Sequence, residues 1–157
     1  MTDTQTINLF KTFAFEDFEI GHKLKYGSHR LGGDEIIEFA KEWDPMPFHI
    51  DEKAGEESSH GGLIASGSHL IAIRIKLIQS EGINPFVIAA MGWDEIRFIR
   101  PGRPGDLLTL FSECTAKRSS NSKPDRGIVN SSYELINQNG EIAMSMSDTL
   151  LVRKRDA

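Results

Sequence analysis

The chain has 157 residues, a net charge of −5 and one cysteine, Cys114. That length suits a single domain with one core; the acidic balance argues against general nucleic-acid binding, which needs a basic footprint; and a lone cysteine excludes an intrachain disulfide framework, as expected for a reducing compartment. The first ten residues have no positively charged start, and the longest apolar stretch, 63–78, contains Arg74 and Lys76 and is shorter than the roughly 20 residues of a membrane span, so a cytoplasmic protein with neither secretory signal nor membrane contact is expected.

Residues 1–12 read as a polar tail and residues 13–157 as one domain, without linker, repeat or low-complexity block. Phe13, Phe15 and Phe18 can pin the first ordered segment to the core. Residues 23–31 alternate enough for a strand marked by Leu24 and Tyr26, which Gly32 and Gly33 break. Asp34 is expected to cap a helix running to about Glu42, with Ile36, Ile37, Ala40 and Trp43 along one face. Pro45 and Pro47 end that helix and should hold residues 44–50 in a stiff, non-helical stretch. Residues 51–57 read as a short polar helix with Asp51 as its cap.

Residues 63–79 are apolar nearly all round. Ile64, Ile71, Ile75 and Ile78 make one stripe and Leu63, Leu70 and Leu77 another, the pattern of a buried helix. Gly67 and Ser68 are small enough to let a sheet approach its axis. Four strands follow, at 87–98, 107–117, 127–137 and 141–154, the last two joined by an Asn139-Gly140 hairpin turn. One buried helix followed by hairpin-linked strands predicts an α+β domain in which a curved antiparallel sheet wraps the helix.

The chemistry-bearing residues concentrate between 42 and 70. Asp44 and His49 lie in the proline-flanked stretch, and Gly61 and Gly62 lead into the apolar helix. On spacing alone, Asp44-Pro45 also reads as a plain turn and His49 as a structural histidine. His49, His60 and His69 fit no compact metal-ligand spacing, so no metal is expected. His22 and His29 are expected at the surface. Arg118, Lys123 and Arg126 surround a polar loop that either meets phosphates or is simply a solvated charged face.

At three places the sequence resembles the MaoC-like branch of the hotdog fold, the (R)-specific enoyl-CoA hydratases and acyl dehydratases. The first is Asp44-Pro-Met-Pro-Phe-His49-Ile-Asp51, similar to the family's Asp with a His five residues later. The second is His60-Gly-Gly-Leu-Ile-Ala-Ser-Gly67, similar to the start of the hotdog helix. The third is Ile99-Arg-Pro-Gly-Arg-Pro-Gly-Asp106, with the Pro124-Asp-Arg-Gly127 loop and the turn at 137–140. Two positions depart from the pattern. Met46 stands where the family has Asn, which removes a polar contact beside the site. His69 stands where the hydratases have a serine that holds the catalytic Asp, and would hold that carboxylate instead.

The resemblance implies reversible addition of water to a 2-enoyl thioester, with no cofactor. Asp44 and His49 would hold one water and share the proton work. The amide of Gly61, helped by Gly62, would sit free at the helix start and bind the developing enolate oxygen. His69 and Met46 would support the site, and Arg118, Lys123 and Arg126 would meet coenzyme A phosphates. The acyl carrier is coenzyme A or acyl carrier protein, and a homodimer with joined sheets is implied. Two other readings compete: a hotdog thioesterase, disfavoured because residues 63–80 contain no Asp or Glu to drive hydrolysis, and a non-catalytic acyl-thioester binding subunit.

Overall fold

The computed structural model describes residues 10–157. A five-stranded antiparallel sheet of order β1-β3-β4-β5-β2 curves around one long helix, α4, the arrangement of the hotdog fold. The strands are β1 (Lys23–Arg30), β2 (Val87–Phe98), β3 (Leu107–Ser119), β4 (Arg126–Ile136) and β5 (Ile142–Arg153). Along β3, β4 and β5 burial alternates residue by residue, because successive side chains point to opposite faces and only one face meets the helix. That face supplies Leu108, Leu110, Val129, Tyr133, Leu135, Met144, Met146, Leu150 and Val152.

The helices are α1 (Gly33–Trp43), α2 (Pro47–Ile50), α3 (Glu52–Glu57) and α4 (Gly67–Ile78). From α4, Leu70, Ile73, Leu77 and Ile78 enter the core, each contributing roughly 2 kcal/mol by removal from water. Phe13, Phe15 and Phe18 are buried as expected. Phe10 is buried with them, so residues 10–12 are not part of a loose tail as expected; residues 1–9 lie outside the described residues.

Several local expectations fail for physical reasons. Gly32, not Asp34, is the N-cap of α1, and Asp34 falls in the first turn, where a carboxylate still suits the helix dipole. Trp43 is the last residue of α1 and is 66 % exposed. Pro47 starts α2 rather than preventing it, because a proline's fixed φ suits the first helical position and its missing N–H is not needed there. Helix α4 begins at Gly67, four residues later than expected: residues 63–65 are extended, tied by Ile64 N–H to Phe48 O (3.2 Å) and Ala65 N–H to Gly102 O (2.8 Å). Ile75 is therefore on the open side of α4. Asp51 caps α3 as expected, accepting from the amide of Ala54 at 2.7 Å.

Candidate active site

Asp44 is the C-cap residue of α1, its amide still bonded to Ala40 O. The Pro45-Met46-Pro47 turn then starts α2, and that one turn of helix brings His49 back toward Asp44. His49 is buried, and its Nδ1 lies 2.6 Å from Ile64 O. A carbonyl can only accept, so Nδ1 carries a hydrogen, and in the neutral ring the lone pair is on Nε2. Nε2 stands 3.5 Å from Asp44 Oδ2, on a side chain 39 % exposed. Ser66 Oγ donates to the same Oδ2 at 2.8 Å.

Ser66 is fully buried, is the N-cap of α4, and accepts from Ser68 N–H at 3.3 Å. One hydroxyl thus starts the helix and fixes the carboxylate. Sequence reasoning missed it, although a serine just before an apolar helical run is a helix-start signal. The structure therefore brings Asp44, His49 and Ser66 together.

It does not bring in the others as expected. His69 makes no contact with Asp44: its ring stacks on Phe39 (centroids 4.4 Å apart), and Nε2 lies 3.8 Å from Glu35 Oε1. Burial pushes its pKa down, so it is a neutral wedge between α1 and α4. Glu35 is shared with His29 at 2.7 Å, which places His29 in a contact rather than free at the surface. Met46 is 46 % exposed, and its contribution is through the backbone, where its carbonyl accepts from His49 N–H at 2.9 Å.

Gly61 and Gly62 are not at a helix start. Both have positive φ in the turn between α3 and the extended segment, and their amides are already bonded, Gly61 to Ser58 O (3.1 Å) and Gly62 to Gly55 O (3.0 Å). Arg103 backs this turn by donating to His60 O. The amide of Gly67, the first residue of α4 and the neighbour of Ser66, has no acceptor among the described residues, as is also true of the amides of Leu63 and Ser66. The ring of Phe98 covers this glycine so closely that a Cβ there would fall 2.6 Å from it.

Arg118, Lys123 and Arg126 sit in and beside the β3–β4 loop. That loop is level with the β2 end at Val87, whereas Phe98 and the site are at the other end of β2. Arg126 is occupied by Asp125, whose carboxyl it holds below the usual range through two hydrogen bonds. Arg118 and Lys123 are exposed and line a cleft with Ser120, Asn121, Ser122 and Met91.

A second charged pair was not anticipated. Arg74, two turns along α4, meets Asp148 of β5 at 2.6 Å, with both side chains sealed from solvent and the guanidinium 4.1 Å from the Tyr133 ring centroid. Burial outweighs the arginine and pushes Asp148 up to about 6. A cleft of about 330 Å³ over this half of α4 has Arg74, Asp148, Trp93 and Ile75 in its wall, and neither Asp44 nor His49 lines it. No helix among the described residues is long and apolar enough to cross a membrane, and no three His, Cys, Asp or Glu side chains among them converge as a metal site requires.

Residues 17–134 match the family model of the MaoC-like domain. The uncharacterised protein YdeM of Bacillus subtilis is 35 % identical over 104 residues, 66 % of this chain and 74 % of its own length. The crystal structure of the MaoC-like dehydratase from Rhodospirillum rubrum superposes with a TM-score of 0.84 at 36 % identity, covering 91 % of this chain and 98 % of the other. The (R)-hydratase from A. caviae involved in PHA biosynthesis gives 0.68 at 25 % identity, covering 86 % and 97 %. The chain belongs to the MaoC-like domain family.

Proposed function

We propose that the protein is an (R)-specific enoyl-thioester hydratase, working reversibly as a dehydratase, and that Asp44 and His49 are its catalytic pair. The observation that carries this reading is the pair of acceptors at one spot: the lone pair of His49 Nε2 and Asp44 Oδ2, 3.5 Å apart, with the histidine tautomer fixed from behind by Ile64 O. Two adjacent acceptors suit a water that donates a hydrogen to each.

In hydration, the pair removes one proton from water as its oxygen bonds to the β-carbon. The electrons of the double bond move to the thioester oxygen. The pair then returns one proton to the α-carbon, the carbonyl re-forms, and both side chains end as they began. The acid and base roles are assigned to the pair, because either group can reach the shared water's protons. The transient oxyanion needs a donor. The open amide of Gly67, at the positive end of the α4 dipole, takes the part expected of Gly61 and Gly62, whose amides are committed elsewhere.

A homodimer joined through β2 is part of this reading. Nearly all of β2 is exposed, with Ile88, Met91, Trp93 and Phe98 on a free edge, a surface that pairing with a second copy would cover. The deciding assay mixes the purified protein with a short 2-enoyl-CoA and follows enoyl absorbance and free thiol together. Loss of absorbance without thiol is the expected result. Thiol release would make the protein a thioesterase, and binding with neither change would make it a non-catalytic acyl-thioester binding subunit.

A further inference from the structure

We propose that His69 is a positioning residue for Asp44: its uncharged ring sets the distance between α1 and α4, and with it the gap at which Asp44 meets His49, and a proton on that ring draws α1 inward and takes the carboxylate out of line. This inference rests on the function proposed above.

Asp44 and its anchor ride on different helices. Asp44 is the C-cap of α1, whereas Ser66, which donates to its carboxylate, is the N-cap of α4. The spacing of Asp44 and His49 therefore depends on how α1 sits against α4. His69 stands at that contact. It follows Ser66 by three residues, so the two are neighbours on one face of α4. Its buried ring lies flat on Phe39 of α1, with centroids 4.4 Å and planes 8° apart. Glu35, one turn before Phe39 on the same face of α1, brings Oε1 to 3.8 Å from His69 Nε2. From Phe39 to Asp44 the helix advances only about 7.5 Å, so a roll of α1 at the ring is passed on to the carboxylate. Ile36 and Ala40, both fully buried, keep α1 docked on the core while it rolls.

The groups around the ring decide what a proton would do. The titratable groups that face it among the described residues are Glu35 from α1 and His29 from β1, with Lys76 of α4 behind His29. A lysine ammonium can only donate. His29 Nδ1, 3.2 Å from Lys76 Nζ, therefore accepts, and His29 Nε2 carries the hydrogen given to Glu35 Oε1 at 2.7 Å. His29 is thus fixed as a neutral ring with an ammonium against its lone pair, and Glu35 Oε1 is held by it. His69 has no comparable bond. Its Nε2 is beyond hydrogen-bond reach of Glu35, and its Nδ1 is buried with no partner among the described residues. Burial holds its pKa below the ordinary 6.5, so the ring is uncharged at neutral pH. Once protonated, Nε2–H can form a charge-assisted bond to Glu35, for which the gap must close by about 1 Å. A displacement of that size at a catalytic group costs about a hundredfold in rate.

The test follows hydration of crotonyl-CoA by the full-length protein between pH 8 and pH 5, per folded molecule, in three variants. His69→Ala removes the spacer. His69→Phe keeps a flat ring against Phe39 and cannot take a proton. Glu35→Gln keeps an acceptor for His29 and loses the charge. At pH 8, His69→Ala should lose about tenfold or more in kcat with KM nearly unchanged, and His69→Phe should recover most of that loss. On acidification the wild type should fall more steeply than either conservative variant, and at pH 5 His69→Phe and Glu35→Gln should retain about tenfold more of their pH 8 kcat than the wild type does. Full kcat in His69→Ala would make the ring mere filling and overturn the proposal. Wild-type acid profiles in both His69→Phe and Glu35→Gln would overturn it too, because Glu35 would then swing over alone and leave Asp44 in place. Should His69→Ala not fold, those two profiles decide. Should the wild type hydrate no enoyl thioester at any pH, the hydratase reading falls separately, and NMR decides the positioning. The backbone amides of Trp43 and Asp44 should then shift with the midpoint of the His69 ring in the wild type and lose that step in His69→Phe; amides that ignore the ring's titration overturn the proposal.

Discussion

At the N-terminal end of α4, Asp44 and His49 stand 3.5 Å apart with the acid partly open to solvent; two turns along the same helix, Arg74 and Asp148 meet at 2.6 Å with both side chains buried. The first pair is too far apart to satisfy itself and is held from behind, by Ser66 on the carboxylate and Ile64 O on the imidazole. The second closes on itself through one short contact, Arg74 Nη2 to Asp148 Oδ2, and leaves Arg74 Nε and Asp148 Oδ1 unpaired. A pair with spare acceptor capacity can act on a bound molecule. A closed pair in the core can only cost or contribute stability. The lesson is that partner geometry, not charge or burial, separates a candidate catalytic pair from a structural one.

Breaking the open pair should have the largest effect, and on rate alone. Asp44→Asn keeps the shape and the contact with Ser66 but removes the charge that shares the water's proton. Activity is expected to fall roughly 100- to 10,000-fold, the range for loss of a positioned proton-transfer group, while urea unfolding stays at the wild-type midpoint. An equal fall in stability would mean that Asp44 is structural.

Breaking the closed pair should do the reverse. Arg74→Met leaves the Asp148 charge buried without its counter-ion, a loss on the order of 3 kcal/mol, read from urea unfolding followed by Trp93, which lies 5.7 Å from the Arg74 guanidinium. Turnover per folded molecule should change little. Asp148→Asn, a neutral mimic of the protonated acid, tests pH dependence. Burial raises the Asp148 carboxyl from 3.8 to about 6. Between these values the native state holds a proton that the unfolded chain has released, so this group's contribution is fully present below about pH 4 and is lost as pH rises through 6. That segment of the stability–pH curve should flatten in Asp148→Asn.

The difference between the pairs also marks what could be read in the sequence. The period-two alternation of β3, β4 and β5 and the apolar run of α4 are local signals, and the architecture follows from them. Asp44 and His49 are five residues apart, so the turn that joins them is local too. Arg74 and Asp148 are 74 residues apart, and nothing in either neighbourhood announces the other. Gly61 and Gly62 misled because a glycine pair before an apolar run reads as a helix start. Its cause is instead close packing: a Cβ on Gly55 would lie 2.6 Å from Leu63 N, so the chain turns here against α3 before it can begin α4. His69 misled because its role depends on Phe39 and Glu35 in α1, which spacing along α4 cannot reveal.

Gly55→Ala sharpens the comparison from the scaffold side. The added methyl meets backbone atoms of Gly62 and Leu63, which cannot swing aside as a side chain would. A loss of about 2 kcal/mol is expected from such overpacking, together with lower activity, since Ile64 O, the anchor of His49, follows directly in the chain. Stability lost with full activity retained would show that the anchor does not depend on this packing.

Ser66 should give the smallest effect and the most discriminating one. Its hydroxyl serves both the start of α4 and the carboxylate of Asp44. Ser66→Ala removes both contacts and should cost about 1 kcal/mol for the lost cap, with activity reduced roughly tenfold, about the same free energy. Ser66→Thr keeps the hydroxyl but adds a methyl at a fully buried position, so it should unfold more easily than wild type while keeping more activity than Ser66→Ala. If the two variants lose activity in proportion to their stability, Ser66 is only a cap. If threonine restores turnover without restoring stability, the hydroxyl positions Asp44, and the open geometry of the first pair is held in place by the same residue that begins the buried helix.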